Sequence, residues 1–403
     1  MAAPIPNRAI AQVQLDQQPL TSEEVLCWLA LSLTPGLGTR KAGQLVEVFQ
    51  TASAIFRASR EELEHVGIPR GTAQNIASGC AFDAAAEQQQ KAHQQGVHLV
   101  PVTDLRYPPA LRAIFDAPPL LFARGRVELF QNLMLGVVGT RRPTPYGIQA
   151  ATRLSRELAE AGMTIVSGMA RGIDTAAQKA ALEAGGDTVA VFGCGVDQVY
   201  PAENRKLADE IAKNGLLVSE FAIGTPPYPQ NFPIRNRIIS GMSVGVMIVE
   251  GSEYSGSAIT AKLAAEQDRE VFAVPGNITS KMSWGPNLLI KQGAKLVQDW
   301  NDVAAELKPA VRRKLTDQRR NLLKLQEKES PETNAPLPAS PIQGQMQQVL
   351  KLLQPDVPTS LDTLVDNSEI CTPSELLAVL FELELAGLVR QLPGKSYIRV
   401  WTD

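Results

Sequence analysis

Cysteine and histidine are scarce in this 403-residue chain, and neither is arranged for chemistry. Cys27, Cys80, Cys194 and Cys371 stand far apart and form no CxxC pair. That argues against a thiolate metal site or a disulfide framework, and it suits a reducing cytoplasm. His65, His93 and His98 all fall in the first quarter of the chain, remote from every glycine-rich motif. Histidine acid–base catalysis is therefore not expected, while carboxylate chemistry stays open. No apolar run reaches the roughly 20 residues of a membrane span. The polar stretch Met1–Gln18 lacks a hydrophobic signal core, so secretion is not expected either. Excess charge is also missing: 39 Lys and Arg against 42 Asp and Glu give a formal net charge of −3. Any nucleic-acid binding must then come from a local basic site.

What is present is a strong change of pattern along the chain. Residues 1–20 read as a flexible N-terminus. Residues 21–80 read as a small helical domain, with Glu23–Leu33 and Arg40–Phe49 joined by Thr34-Pro-Gly-Leu-Gly-Thr39 and a weaker echo at Gly67–Thr72. A Pro-Gly-x-Gly turn between short helices resembles a helix-hairpin-helix, whose backbone amides can hold a phosphate. The plainer reading, favoured by Glu61, Glu62 and Glu64 around the second turn, is a bundle that uses glycine to turn tightly.

Residues 81–304 form the main domain. Strands are predicted at Val97–Val102 and Leu120–Arg124. From Leu133 onward come Met134–Val138, Thr164–Ser167, Thr188–Phe192, Leu216–Ser219, Val244–Val249, Glu270–Ala273 and a last strand near Lys295–Val297. Short β-branched strands alternating with amphipathic helices predict an α/β fold with a doubly wound parallel sheet, covered on both faces. Residues 305–341 follow as a basic segment, with eight basic residues within Lys308–Lys328, and a Pro/Ser-rich linker, Ser330–Pro341. The basic segment reads equally as a nucleic-acid contact or as a solvated face. Residues 342–403 predict helices at Gln343–Leu353, Ser360–Val365 and Thr372–Ala386, then a hairpin closing on Pro393-Gly394. This is a winged helix, but its third helix carries Glu375, Glu382 and Glu384, which favours a protein contact over duplex DNA.

In an open parallel sheet, ligands bind at the carboxyl ends of the strands. Gly136-Val-Val-Gly-Thr-Arg141 lacks GxGxxG spacing, so a dinucleotide cofactor is not expected. Ser167-Gly-Met-Ala-Arg-Gly-Ile-Asp174 offers Gly168 for close backbone approach, Arg171 for charge and Asp174 as a helix cap. Phe192-Gly-Cys-Gly195 and Tyr200-Pro-Ala-Glu-Asn204 follow the next strand. Phe232-Pro-Ile-Arg-Asn-Arg-Ile-Ile-Ser-Gly241 places Arg235, Asn236 and Arg237 just behind an aromatic ring. Alone it reads as a phosphate clamp with a stacking platform or as a salt-bridged helix start. Ser255-Gly256-Ser257 and Thr260 open a helix whose amides and hydroxyls suit an anion. Together the loops supply cations, amides and hydroxyls without a nucleophile–base pair, an inventory for holding successive phosphates.

At these residues the chain resembles the DNA-processing protein A family (DprA, also called Smf). The resemblance rests on VGTR (138–141), SGMARGID (167–174), YPAEN (200–204), SE (219–220), FPIRNRIISG (232–241), SGSAITA (255–261), EQDREVFAVPG (266–276) and LIKQGA (289–294), in that order. It implies an extended Rossmann-like domain that binds single-stranded DNA, flanked by a SAM-like or helix-hairpin-helix domain and a winged helix. It further implies homodimerisation and loading of RecA recombinase onto incoming DNA in natural transformation, with single-strand binding protein as a further candidate partner. No membrane partner, catalysis, metal or cofactor is implied. By motif, Arg141, Gly168, Arg171, Phe232, Arg235, Asn236, Arg237, Ser255, Gly256, Ser257 and Thr260 should line the strand-binding pocket. Ile234 and Asp268 depart from the family pattern, as does the lack of a lysine at Pro229 or Gln230. These departures imply either a weaker affinity or compensation by the basic segment after Lys308. The alternative is a phosphoribohydrolase-like enzyme on the related fold. Its PGGxGTxxE motif is not matched by Glu250-Gly-Ser-Glu-Tyr-Ser-Gly-Ser257.

Overall fold

The structure, a computed structural model, describes residues 20–252, 255–307, 309, 312–313, 315, 348–353, 357–367, 373–385, 388–392 and 396–400. The linker Ser330–Pro341, the start of the Gln343–Leu353 helix, the Pro393–Gly394 turn and all but residues 309, 312, 313 and 315 of the basic segment lie outside them.

Six helices come first: α1 (Ser22–Leu33), α2 (Thr39–Phe49), α3 (Ala52–Arg57), α4 (Arg60–His65), α5 (Arg70–Ala77) and α6 (Phe82–Gln94). Their starts follow local chemistry. Thr21, Thr51 and Ser59 accept backbone N–H groups at the N-termini of α1, α3 and α4, and Glu62 completes a capping box with Ser59. The two glycine turns meet, since Thr72 and Asn75 on α5 donate to the carbonyls of Gly36 and Pro35 in the α1–α2 turn. Packing between the turns thus uses both carbonyls.

A nine-stranded sheet follows. Its strands are β1 (His98–Pro101), β2 (Leu120–Gly125), β3 (Met134–Val138), β4 (Thr164–Ser167), β5 (Thr188–Val191), β6 (Leu216–Ser219), β7 (Gly245–Ile248), β8 (Glu270–Ala273) and β9 (Lys295–Leu296). The order is β1-β2-β6-β5-β4-β3-β7-β8-β9. From β6 to β9 all neighbours are parallel, while β2 pairs antiparallel with both β6 and β1. The two early strands therefore extend the main sheet at one edge. Intervening helices are α7 (Pro109–Arg112), α8 (Pro145–Glu160), α9 (Ile173–Glu183), α10 (Arg205–Asn214), α11 (Asn231–Met242), α12 (Gly256–Glu266), α13 (Trp284–Lys291) and α14 (Trp300–Ala305).

Strand alternation sorts the core onto two faces. Leu135 and Val137 of β3 and Met247 of β7 pack with Leu154, Leu158 and Ala177 of α8 and α9. Met134, Val138, Val246 and Ile248 face the other way, against Ile238 and Ile239 of α11 and Ala261 of α12. That second cluster continues without a break into Trp28, Leu45 and Ile76 of the helical region. Both faces of the parallel strands are buried, hence their nearly continuous apolar sequence.

The last described residues form a small unit: β10 (Thr359–Ser360), α15 (Leu361–Asn367), α16 (Pro373–Leu385), β11 (Val389–Leu392) and β12 (Ser396–Arg399). The strand order is β10-β12-β11, all antiparallel, over a core including Leu364, Leu376, Leu380, Leu383 and Tyr397. This is a winged helix. Ser360 enters the short strand rather than the helix predicted for it, because it pairs with Ser396. No helix among the described residues is long and apolar enough to cross a membrane.

Candidate nucleic-acid interface

Strand order reverses between β3 and β7, since β4, β5 and β6 lie on one side and β8 and β9 on the other. A crevice opens at the carboxyl ends of the strands at such a point. Here it is a cleft of about 730 Å³, walled by Gly139–Arg142 after β3, Ala170 and Asp174 after β4, Phe232, Arg235 and Asn236 of α11, and Ser255–Ser257 with Thr260 at the start of α12. A deeper recess of about 40 Å³ joins it, lined by Arg141, Gly168, Arg171, Tyr200, Phe232 and Arg235.

The loop after β4 is rigidly built. Met169 has φ 57°, a left-handed conformation rare outside glycine, and its side chain is fully buried. Three groups hold it. The Asp174 carboxylate accepts the N–H groups of Gly168 at 3.1 Å and Ala170 at 3.4 Å. Asn204 donates to the Met169 carbonyl at 2.9 Å and to the Thr175 hydroxyl at 2.9 Å. Arg235 donates to the Gly168 carbonyl at 2.8 Å and to the Val191 carbonyl. Gly168 is required here because a Cβ would lie 2.5–2.7 Å from the Arg235 guanidinium.

Burial controls the charges of this floor. Arg235 is 4% exposed, and desolvation pushes its guanidinium down to about 10, against the pull of Asp174. It therefore stays protonated at neutral pH. Burial likewise raises the Asp174 carboxyl, opposed by Arg235 and by the two loop amides.

Above this floor the cations are open. Arg141 is exposed and lies with its guanidinium carbon 5.8 Å from the centroid of the Phe232 ring. Arg142, beside it in the cleft, is exposed as well. Arg171 is held by Glu203 at 2.7 Å, but both side chains are more than half exposed. The half-buried Phe232 ring also meets Tyr200, with centroids 5.4 Å apart and planes at 44°. At the opposite wall Ser255 caps α12 and shares a 2.7 Å hydrogen bond with Ser257, while Thr260 donates to the Gly256 carbonyl.

The structure thus brings together Arg141, Gly168, Arg171, Phe232, Arg235, Asn236, Ser255, Gly256, Ser257 and Thr260. Arg237 is the exception, and the expectation that it lines the pocket is corrected. Arg235 and Arg237 lie two residues apart on helix α11, a rotation of about 200°, so their side chains leave on opposite faces. Arg237 points away from the cleft, to Glu220 and to Asp116 at 3.5 Å. Arg235 is also recast, since its donors organise strand-end carbonyls rather than standing free. Sequence reasoning missed Arg142 and Tyr200 as lining residues, although Arg142 adjoins VGTR and Tyr200 opens YPAEN. Among the described lining residues Asp174 is the one carboxylate, and the loop amides occupy it. No group of three or more His, Cys, Asp or Glu among the described residues could hold a metal ion.

Fold and site define an open α/β protein with an arginine-rich, aromatic-floored cleft at its switch point, joined to a winged helix. A family model described as DNA recombination-mediator protein A matches residues 98–308, and one described as the DprA winged helix domain matches residues 332–395. DNA processing protein DprA of Bacillus subtilis is 46% identical over 215 residues, covering 53% of this chain and 72% of the relative. Protein Smf of Escherichia coli is 39% identical over 308 residues, 76% of this chain and 78% of the relative. The crystal structure of DNA processing protein A from Streptococcus pneumoniae is similar with a TM-score of 0.63 at 34% identity, covering 72% of this chain and 99% of that one. The chain belongs to the DNA recombination-mediator protein A family.

Proposed function

We propose that this recombination mediator binds single-stranded DNA in the switch-point cleft and, as a homodimer, delivers it to a RecA-type recombinase without chemical change to the strand. The observation that carries this reading is the pairing of exposed Arg141 and Arg142 with the half-buried Phe232 ring in one open cleft. Guanidinium groups match phosphate oxygens, and an aromatic face accepts any unpaired base. A duplex hides its base faces, so only the single strand uses both features. The hydroxyls and amides at the start of α12 extend the anion-receiving wall. Protection of incoming DNA during transformation and a single-strand binding protein as a further partner fit the same reading.

The test is binding of labelled single- and double-stranded oligonucleotides across a salt series. Single strands are expected to bind more tightly, with affinity falling as salt rises. Equal or tighter duplex binding would overturn the proposal.

A further inference from the structure

The switch point of an open α/β sheet ordinarily holds a ligand phosphate against the helix that follows the first central strand. In this chain that helix is α8, and the position against its first turn is filled from within. Glu250, two residues beyond β7, is 1% exposed. Its carboxylate accepts the Thr144 N–H at 2.8 Å and the Thr144 hydroxyl at 2.6 Å, while its main-chain carbonyl accepts the Thr140 N–H at 2.7 Å. Thr144 in turn caps α8 by accepting the Gly147 N–H at 3.2 Å. The carboxylate lies so close over the first turn that a Cβ on Gly147 would collide with it. No ion pair of Glu250 occurs among the described residues, so its negative charge faces the positive end of a 16-residue helix. Burial raises its carboxyl, and the two Thr144 bonds oppose that rise.

We propose that Glu250 is a specificity-determining residue: an internal anion that occupies the α8 N-terminus and bars a mononucleotide or dinucleotide phosphate from the switch point. Ligand phosphate is thereby confined to the arginine side and to the start of α12, a layout for a strand that runs across the cleft. The same three bonds hold the Gly139–Thr144 loop and so fix where Arg141 emerges. This inference rests on reading the cleft as the nucleic-acid site.

ADP serves as the probe, measured by titration calorimetry on the full chain. Glu250→Ala and Glu250→Ser are expected to bind ADP at least about tenfold more tightly than the unchanged protein, because a like charge is removed from a helix N-terminus. Arg141→Ala, tested for single-stranded DNA, reports separately on the cleft itself. If Arg141→Ala loses DNA affinity while both folded Glu250 variants bind ADP no better than the unchanged protein, the role of Glu250 is overturned and the cleft stands. If Glu250→Ala does not fold, Glu250→Ser decides by the same criterion. A fold rescue gives a second readout. Gly147→Ala should lower the melting temperature in the Glu250 background and do so much less in the Glu250→Ala background. Equal losses in both would also overturn the proposal.

Discussion

Arg237 and Glu220 form an ion pair whose side chains are 7% and 10% exposed, on the far side of α11 from the cleft. Asp116, on the segment between α7 and β2, joins them at 3.5 Å. Asp116 ties that segment to α11 and Glu220 ties the end of β6 to it, while burial raises the Glu220 carboxyl against the pull of Arg237. Breaking a buried pair leaves an uncompensated charge and costs about 3–5 kcal/mol. Arg237→Ala is therefore expected to lower the melting temperature markedly. In the folded fraction the salt dependence of DNA binding should match the unchanged protein. A reduced salt slope with normal stability would return Arg237 to the pocket.

Arg141 is expected to behave in the opposite way. Arg141→Ala should leave thermal stability nearly unchanged, since the side chain is exposed. Single-stranded DNA affinity should fall by a similar factor for all sequences. The slope of log affinity against log salt should drop by about 0.7, one phosphate contact on a single strand. An unchanged slope with unchanged affinity would show that Arg141 contacts no phosphate.

Phe232 is expected to supply stacking rather than charge, which a third measurement separates. Phe232→Leu keeps an apolar side chain of moderate size but removes the flat ring. Loss of base stacking is worth about 1–3 kcal/mol per base. Affinity should therefore fall while the salt slope stays constant.

Glu203 is expected to compete with DNA for Arg171. The two side chains are 53% and 60% exposed, so their 2.7 Å bridge is screened by solvent and easily exchanged. Glu203→Gln should raise single-strand affinity by less than about tenfold, more at low salt than at high. A decrease would mean that the bridge orients Arg171 for binding.

Glu250 sets a pH dependence. Its folded value is raised above the ordinary one, so the native state penalises its charged form. The associated stability is fully present below the unfolded value, about pH 4.3, and is lost as pH rises through the raised folded value. Glu250→Gln lacks this titration. Melting temperatures of the two proteins should therefore shift against the unchanged chain, relative to the variant, between pH 4 and pH 7. A constant gap across that range would contradict the burial argument.

Much of this was legible in the chain itself. Continuous β-branched runs fixed the strands within a residue or two, because a strand buried on both faces has no polar alternative. Small discrepancies fell at strand ends: Phe192 leaves β5 even though its N–H still reaches the Val218 carbonyl. The motif glycines and hydroxyls also marked their loops correctly, since close approach and helix capping are local requirements. The antiparallel docking of β2 against β6 was not legible, because pairing between segments about 90 residues apart leaves no periodic trace.

The division of labour among the arginines lay further out of reach. The sequence places Arg141 and Arg171 just after strands, and Arg235 and Arg237 between the strands Leu216–Ser219 and Val244–Val249. Only the tertiary structure decided that Arg141 stands open over Phe232, that Arg235 is buried against carbonyls of β5 and the β4 loop, and that Arg237 pairs with Glu220. The physical reason is that a guanidinium is identical in all four positions. Its role is set by the acceptors and the solvent that folding places around it, and those come from segments distant in the chain.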